Sequence, residues 1–319
     1  MTQRYGLKKG VDFIGSFSST PRLSTTRLVF ALAANKKLYL YHADIETAYL
    51  YGDMEGDVYM EQPEGFTDRE NSELVCKLLQ GLYGHPAAGR QWAQKFSSIL
   101  SNFGLAHCPS DTDCYIRRFP DGGVIIVVIY VDDVIIAADS ENRKAQFIDY
   151  LRQHFNVKDL GLLHWFLGIR VQRVGWDVVI DQSQYALDVL ERYGMSNCNP
   201  VKTPGVPGAV LSDADCPKTD KKKAEMKAYP FRQSIGSLLW LARGTRLDII
   251  ERVNSISQFL QNPGPSHWRA MKPIFRYLRG TVNMCLTYSS GLSLSVIACV
   301  DSNWGSHTSD PRSRAAFIF

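Results

Sequence analysis

Two adjacent carboxylates, Asp132 and Asp133, interrupt an apolar run, VIIVVIYVDDVIIAAD at residues 124–139. Ionised carboxylates held together in apolar surroundings cost several kcal/mol unless one is protonated or a cation is bound. The apolar flanks predict a tight β-hairpin with the pair at its turn, where Mg²⁺ can be reached. The alternative is a simple acidic turn, since Asp is common in turns. The apolar flanks, with Tyr130 completing a Tyr-x-Asp-Asp motif, favour a metal site.

A third candidate ligand, Asp44, lies at the end of another apolar segment, LYLYHADI at residues 38–45. It precedes Asp132 by 88 residues (132 − 44 = 88), which is enough for two neighbouring strands with a helix between them. Three carboxylates suit two Mg²⁺ ions about 4 Å apart, for which Mn²⁺ can substitute. Such ions support in-line phosphoryl transfer, in which a 3′-hydroxyl attacks and pyrophosphate leaves.

Short strands and amphipathic helices are predicted to position these carboxylates. Apolar side chains recur at helical spacing before Gly104, which predicts a core-facing helix that ends there. They are Trp92, Phe96, Ile99, Leu100 and Phe103. A second helix is predicted after Ser140, a good N-cap, and residues 164–180 predict two strands that turn near Gly175. This order of elements is α+β rather than a regular βαβ repeat.

The second half of the chain begins with a break in apolar periodicity. Residues 199–223, NPVKTPGVPGAVLSDADCPKTDKKK, are rich in Pro, Gly, Asp and Lys and predict a linker or a long surface loop. Two or three helices are predicted beyond it, followed by two short strands around TYSS and LSVIACVD. The length of 319 residues predicts roughly two domains.

Composition narrows the class of protein only slightly. The formal net charge of +4 permits an anionic partner such as nucleic acid without requiring one. Seven cysteines at scattered spacings predict free thiols in a reducing compartment rather than a disulfide framework. No apolar run reaches the roughly 18 residues needed to cross a bilayer, so no membrane association is expected.

Eight motifs occur in an order that is typical of one family. They are RLSTTRLVFALAA, HADIETAYLYGDMEGDVYMEQPEGF, LLQGLYG, YVDDVIIAADS, FNVKDLGLLHWFLGIRV, QSQYALDVLERYGMSNCNPVKTP, IGSLLWLARGTRLDI and HWRAMKPIFRYLRGT. Together they resemble the reverse transcriptase of copia-type long-terminal-repeat retrotransposons over nearly the whole chain. The resemblance implies an α+β right-hand polymerase fold with fingers, palm and thumb, then a connection segment and the first strands of a ribonuclease H-like domain. Fingers and palm would occupy residues 1–195, thumb and connection helices residues 196–290, and the ribonuclease H start residues 291–319.

The resemblance also implies residue roles in the nucleotide site. Asp44, Asp132 and Asp133 match the catalytic, metal-binding carboxylates of the family, and the backbone carbonyl of Ile45 would complete the ligand set. Tyr49 occupies the aromatic position that excludes a ribose 2′-hydroxyl and so selects deoxynucleotides. Without the family context, a core aromatic would be the simpler interpretation of this residue.

Further roles concern the nucleic acid and the leaving group. Trp165, Phe166, Leu167 and Gly168 match the turn that holds the primer terminus, for which an ordinary buried hairpin is the alternative. Lys158 is a candidate proton donor to the pyrophosphate, with a solvated surface lysine as the alternative. Candidate phosphate contacts, with solvated helix faces as the alternative, are Arg27, Arg90, Arg232, Arg243, Arg246, Arg276 and Arg279.

Residues 83–92 depart from the family pattern. The family usually reads YGLKQAPRAW, whereas this chain reads YGHPAAGRQW. Ala87 stands where a glutamine helps to position the incoming nucleotide, and Pro86 and Gly89 replace a lysine and a proline. Loss of the positioning amide is expected to slow catalysis by about 10- to 100-fold. The first residues, MTQRYGLKKG, match the family from just after its basic fingers strands, and those strands are not matched. Asp301 matches the first ribonuclease H carboxylate, but the other ligands are not matched, so no ribonuclease H activity is expected.

Two hypotheses follow. In the first, the chain is an RNA-directed DNA polymerase that uses an RNA template, a DNA or tRNA primer and dNTPs, beside other Pol and Gag segments. It would act in a cytoplasmic virus-like particle or in the nucleus. In the second, it is a catalytically impaired relic that retains at most salt-sensitive nucleic-acid binding.

Overall fold

The computed structural model describes residues 10, 13, 15–206, 211–292, 297, 299–303 and 314–318. The chain divides into two compact units, Met1–His164 and Trp165–Phe319. Both units combine helices with antiparallel strands, which confirms the mixed α and β class. The proposed boundaries of fingers, palm, thumb and ribonuclease H segments stay predictions.

The first unit is built on a six-stranded sheet of order β4-β5-β6-β7-β1-β8, in which every pairing is antiparallel. Its elements are α1 (Leu23–Asn35), β1 (Tyr39–Ile45), β2 (Tyr59–Glu61), β3 (Val75–Lys77), α2 (Ala88–Asn102), β4 (Ala106–Cys108), β5 (Asp111–Arg118), β6 (Val124–Tyr130), β7 (Asp133–Ala138), α3 (Glu141–Arg152) and β8 (Val157–Leu162). A 3-10 helix, Ala48–Tyr51, follows β1, and β2 pairs with β3 in a separate two-stranded sheet.

Apolar side chains on alternate positions of the central strands form the core of this unit. Ile125 and Val127 of β6 and Ile136 of β7 point to the face that packs against α2 and α3. Helix α2 contributes Trp92 and Phe96, whose rings stack with centroids 4.8 Å apart. The strands are buried on both faces, as their continuous apolar sequence predicted.

Local signals placed both helices correctly. Helix α2 ends just before Gly104, whose φ of 85° lies in the left-handed region that glycine tolerates. Helix α3 begins after Ser140, whose hydroxyl accepts a hydrogen bond from the Arg143 amide at 3.4 Å. The apolar face predicted for α3 is buried, at Phe147, Ile148 and Leu151.

The second unit contains a four-stranded sheet of order β12-β11-β10-β9, a two-stranded sheet and five α-helices within its described part. Its elements are β9 (Trp165–Phe166), β10 (Ile169–Val174), β11 (Asp177–Asp181), α4 (Ser183–Arg192), α5 (Asp220–Met226), α6 (Phe231–Gly244), α7 (Ile250–Ser257), α8 (Pro265–Gly280), β12 (Leu286–Tyr288), β13 (Cys299–Asn303) and β14 (Arg314–Ile318). The turn predicted near Gly175 joins β10 to β11, and β9 is an additional short strand. Helices α4, α6, α7 and α8 enclose a separate apolar core.

The segment predicted as a linker is partly ordered into regular structure. A 3-10 helix spans Asp213–Asp215, and α5 begins at Asp220, inside residues 199–223. The Thr219 hydroxyl accepts a hydrogen bond from the Lys222 amide at 3.4 Å and so caps α5. The prediction of a loop was therefore wrong for these last residues, because their lysines and acids form an exposed, capped helix.

Candidate active site

The three predicted carboxylates converge where β1 meets the β6–β7 hairpin. Asp44 on β1 is the direct cross-strand partner of Asp133, the first residue of β7. Asp132 lies in the turn of the hairpin, and its carbonyl accepts a hydrogen bond from the Ile45 amide at 3.0 Å. The hairpin predicted from residues 124–139 is therefore confirmed, with Asp132 in the turn and Asp133 beside it. All three aspartates are partly exposed.

The negative charges of Asp132 and Asp133 repel that of Asp44. The pKa of Asp44 is raised above its usual range, first by burial and then by the negative charges of Asp132 and Asp133. Lys158 and His42 oppose this increase. A cation bound between the carboxylates would relieve the repulsion that raises the pKa of Asp44.

His42 is a partner of the site that sequence analysis missed. Its Nε2 lies 2.9 Å from Oδ1 of Asp133. His42 precedes Asp44 by two residues on the same strand, so both side chains leave the same face of the sheet while Tyr41, Ala43 and Ile45 enter the core. This i, i+2 spacing from a candidate ligand was the signal in the sequence that could have identified it.

The backbone beside the carboxylates is strained. Val131, which directly precedes Asp132, has φ of 61°, and Thr47, three residues after Asp44, has φ of 55°. Both are β-branched residues in the left-handed region, where such residues are outliers that cost about 1–3 kcal/mol each. Because Tyr130 pairs with Asp133, the hairpin loop has two residues, and its first position usually takes glycine when φ is positive.

Trp92 of α2 holds the strained turn. Its indole Nε1 donates a hydrogen bond to the Val131 carbonyl at 2.8 Å, and the ring is 2% exposed. The helical spacing of Trp92 in the sequence predicted only that it faces the core. Its second role depends on the packing of α2 against the sheet, which the helical periodicity alone does not reveal.

The donor set fits a hard divalent cation, because carboxylate oxygens are what Mg²⁺ prefers. The side chains are nevertheless not gathered into a ligand cluster: in the described part of the chain, no three His, Cys, Asp or Glu side chains are close enough to hold a metal. Asp133 is engaged with His42 instead. Residues that would hold Mg²⁺ are Asp44, Asp132 and Asp133, with the Ile45 carbonyl as a further predicted ligand.

Lys158 lies on the edge strand β8, as the direct cross-strand partner of Asp44. Its ammonium group is 2.6 Å from Oε1 of Glu46, and its side chain is 60% exposed. The hydrogen bond to Glu46 raises the pKa of Lys158 above its usual range, so this lysine is protonated at neutral pH. Its role as a proton donor stays a prediction.

The two residues predicted to select the nucleotide, Tyr49 and Ala87, lie on two different segments of the first unit. Tyr49 is in the 3-10 helix after β1, partly exposed, and its ring also packs against the core. Ala87 directly precedes α2 and is 4% exposed. One turn inside α2, Arg90 lies 3.4 Å from Glu55 and lines a cavity of about 430 Å³ together with Trp92.

The predicted primer-holding residues lie in the second unit. Trp165 and Phe166 form β9, and they pair with β10 through a tight turn at Leu167 and Gly168. Both turn residues have positive φ, 50° for Leu167 and 76° for Gly168. Trp165 is 49% exposed, whereas Phe166 is buried. The hairpin is therefore strained at a non-glycine residue, and its role in primer binding stays a prediction.

One of the predicted phosphate contacts was wrong. Arg246 is 3% exposed, and its guanidinium forms two hydrogen bonds to Asp248 and two to Thr281. It stabilises the fold of the second unit and has no face for a phosphate. Arg276 and Arg279 donate to the carbonyls of Asn199 and Ser196, both at 2.7 Å.

The ribonuclease H carboxylate was predicted at Asp301. This residue is in β13, paired with β14 opposite Ala316. Most of the other residues that match this domain, including residues 304–313, lie outside the described part of the chain. The expectation concerning ribonuclease H activity stays a prediction.

Comparison with known proteins defines the class. Residues 1–207 match the family described as reverse transcriptase (RNA-dependent DNA polymerase). Because this match covers more than half of the chain, the protein belongs to the reverse transcriptase family. The family resemblance drawn from the sequence motifs is thus confirmed, and with it the class of nucleotidyltransferases.

The relatives place the chain among transposon proteins. The retrovirus-related Pol polyprotein from transposon TNT 1-94 of Nicotiana tabacum is 39% identical over 283 residues, which are 88% of this chain and 21% of that relative. The Pol polyprotein from transposon RE1 of Arabidopsis thaliana is 34% identical over 315 residues, 98% of this chain and 21% of the relative. A putative transposon Ty5-1 protein of Saccharomyces cerevisiae is 28% identical over 276 residues, 86% of this chain and 87% of the relative. The chain spans about a fifth of the two plant polyproteins.

Among the described residues, no helix has the length and apolar character needed to cross a bilayer.

Proposed function

We propose that this chain is the RNA-directed DNA polymerase segment of a copia-type retrotransposon, which transfers nucleotides from dNTPs to a primer 3′-hydroxyl on an RNA or DNA template. The observation that carries the proposal is the convergence of Asp44, Asp132 and Asp133 on adjacent elements, with a pKa of Asp44 raised partly by the other two. Three carboxylates that repel one another at a solvent-accessible edge are suited to a divalent cation and its phosphate ligands.

When bound there, two Mg²⁺ ions would lower the pKa of the primer hydroxyl and stabilise the charge on the leaving pyrophosphate. Asp44 and Asp132, as ligands of these ions, would hold the reacting groups in line. Asp133 would give up its contact with His42 and complete the ligand set. Mn²⁺ is expected to substitute, because it accepts the same oxygen ligands.

Other side chains would orient the substrates. Lys158 carries a proton within reach of the edge of the sheet and would donate it to the pyrophosphate. Tyr49 would exclude the 2′-hydroxyl of a ribonucleotide. Arg90 and the strained Trp165 hairpin would contact template and primer, which are the expected nucleic-acid partners. Other Pol and Gag segments of the element, and a virus-like particle in the cytoplasm, form the proposed setting.

Primer extension tests the proposal. Purified protein is given a primed RNA template, dNTPs and Mg²⁺, and is compared with the double variant Asp132→Asn, Asp133→Asn. We expect wild-type extension to require the metal and to fall about 10³-fold or more in the variant, since the metal ions supply several kcal/mol.

A matched control variant removes a carboxylate charge at an exposed position outside the site. Asp57 is 69% exposed beside Lys77, and Asp57→Asn is expected to extend the primer like wild type. Absence of extension by folded wild-type protein under both Mg²⁺ and Mn²⁺ would overturn the proposal and favour the catalytically impaired relic. Retained, salt-sensitive binding to the primed template would then describe what remains.

A further inference from the structure

Tyr83 is an aromatic neighbour of the proposed nucleotide site that the family comparison does not assign. It lies between Gly81 and α2 and is 37% exposed. Its ring centroid is 5.0 Å from that of Tyr49, with an interplanar angle of 49°. The two rings therefore form a contacting pair, called here the tyrosine pair, although 34 residues separate them in the sequence (83 − 49 = 34).

The backbone that carries Tyr83 is pressed against the backbone that carries Tyr49. A Cβ atom added at Gly81 would lie 2.4 Å from the Tyr49 carbonyl oxygen, a distance that requires one of the two segments to move. The Gly81 amide also donates to the Gly52 carbonyl at 2.7 Å. The absence of a side chain at Gly81 thus brings the two tyrosines together.

The Tyr83 phenol lies close enough to Asp132 and Asp44 for their charges to act on it. Burial raises the pKa of the Tyr83 phenol, and the charges of Asp132 and Asp44 raise it further. A hydrogen bond from the main chain of Tyr49 acts in the opposite direction. A bond that lowers the pKa of a phenol stabilises its oxygen as acceptor, so the main-chain group must be the Tyr49 amide. The Tyr83 hydroxyl therefore links the Tyr49 backbone to the edge of the carboxylate site.

We propose that Tyr83 is a specificity-determining residue, which fixes the Tyr49 ring through ring contact and through the hydrogen bond to its backbone. The inference rests on the proposed function and deepens it. A ribonucleotide differs from a deoxynucleotide by one oxygen atom at the 2′ position. A Tyr49 ring that excludes this atom must therefore not shift by more than a fraction of an ångström. Tyr49 alone lies on a short 3-10 helix next to a strained Thr47, and Tyr83 supplies the missing support.

Two substitutions separate the hydroxyl from the ring. Tyr83→Phe removes the acceptor and keeps the ring contact, whereas Tyr83→Leu removes both. Single-nucleotide incorporation is measured with dNTP and with the matching rNTP, and the ratio of the two kcat/KM values is compared. Loss of one hydrogen bond is expected to lower this ratio about 3- to 10-fold in Tyr83→Phe. The loss should be larger in Tyr83→Leu, chiefly through a lower KM for the rNTP.

Tyr59→Phe is the matched control, since Tyr59 is 54% exposed on β2, which belongs to a different sheet from the strands that carry the carboxylates. It should leave the ratio unchanged. A purely structural role of Tyr83 would slow incorporation of dNTP and rNTP alike, and an unchanged ratio in both Tyr83 variants would overturn the inference.

A second measurement does not depend on nucleotide incorporation, because it records only how firmly the protein is held on the primed template. A primer that ends in a dideoxynucleotide is annealed to the template, and the protein complex is challenged with excess competitor in the presence of dNTP or rNTP. Wild type should be retained by dNTP more than by rNTP, and Tyr83→Leu should lose this preference. If wild type shows this preference and Tyr83→Leu loses it, but wild type does not extend a normal primer, the proposed polymerase activity fails and the role of Tyr83 in nucleotide selection stands. If it extends primers and both Tyr83 variants keep the preference, the inference alone fails, and absence of both extension and preference overturns both.

Discussion

Replacing Asp44 by asparagine is expected to stabilise the metal-free protein while removing its response to metal. Asp44 and Asp133 are direct cross-strand partners, and like charges in that position destabilise by about 0.2–1 kcal/mol. For a unit of this size, relief of that repulsion raises the unfolding temperature by about 0.4–4 °C. A substitution at a proposed catalytic position would thus make the protein more stable, as expected where function imposes electrostatic strain.

The stability gained by Asp44→Asn over wild type should depend on pH in a defined direction. The folded pKa of Asp44 is raised above its unfolded value, so in this range the folded state binds more protons than the unfolded state. Its contribution to stability is therefore lost as pH rises from the unfolded pKa through the folded pKa. The advantage of Asp44→Asn is expected to be absent at low pH, where wild-type Asp44 is protonated, and complete above the folded pKa.

Thermal unfolding with EDTA and then with Mg²⁺ measures both effects. At a free metal concentration ten times the dissociation constant, binding stabilises wild type by about 1.4 kcal/mol, or about 3–6 °C. Asp44→Asn should gain much less, so that the order of stability of the two proteins reverses. The reasoning is refuted if Asp44→Asn is less stable than wild type in EDTA at pH 8, or if Mg²⁺ raises both unfolding temperatures equally. Asp57→Asn, which changes an exposed carboxylate, should follow wild type in both buffers.

Three further predictions concern contacts described above. Trp92→Phe keeps an aromatic ring but loses the hydrogen bond to Val131, so primer extension should fall about 5- to 10-fold while the unfolding temperature changes by only a few degrees; equal extension would exclude a role of this bond in holding the turn. Arg246→Met should destabilise the second unit by about 3–5 kcal/mol in chemical denaturation, because the partner carboxylate of Asp248 loses its charge pair, and a loss below about 1 kcal/mol would contradict the buried pair. Burial lowers the pKa of His267, so the unfolded state takes up a proton at a higher pH than the folded state does. The free energy of unfolding should therefore fall as pH drops below about 6.5. His267→Gln should flatten this dependence between about pH 7.5 and 5, and an unchanged slope would show that other groups cause it.

Local signals in the sequence were sufficient for much of the site. The apolar run around Asp132 and Asp133 specifies a hairpin because both strands are buried on both faces, and the Ser140 cap and Gly104 fix helix ends through interactions within a few residues. The proximity of Asp44 to Asp132 and Asp133 was predicted from chemistry, since carboxylates next to apolar strands are costly unless a bound cation offsets their charge.

The errors and omissions concern contacts between distant segments. Trp92 acts on Val131 across 39 residues, and its helical spacing does not reveal this contact. His42 acts on Asp133 across 91 residues, and only its i, i+2 spacing from Asp44 indicated a place beside the site. Arg246 was predicted to face a phosphate because arginines are usually exposed, but its bidentate pairing with Asp248 allows burial. The tyrosine pair likewise depends on how closely Gly81 approaches the 3-10 helix, which is a property of packing.

The hydrogen bond from Trp92 to the Val131 carbonyl has a consequence for observing the site in solution. The indole proton is buried, and its acceptor is the strained residue next to Asp132, so it can exchange with solvent only when α2 and the hairpin turn separate. Among the six tryptophans of the chain, its exchange rate therefore reports on opening of the turn itself. A single resolved indole resonance would record how often the hairpin that carries Asp132 and Asp133 opens, without any label or substrate.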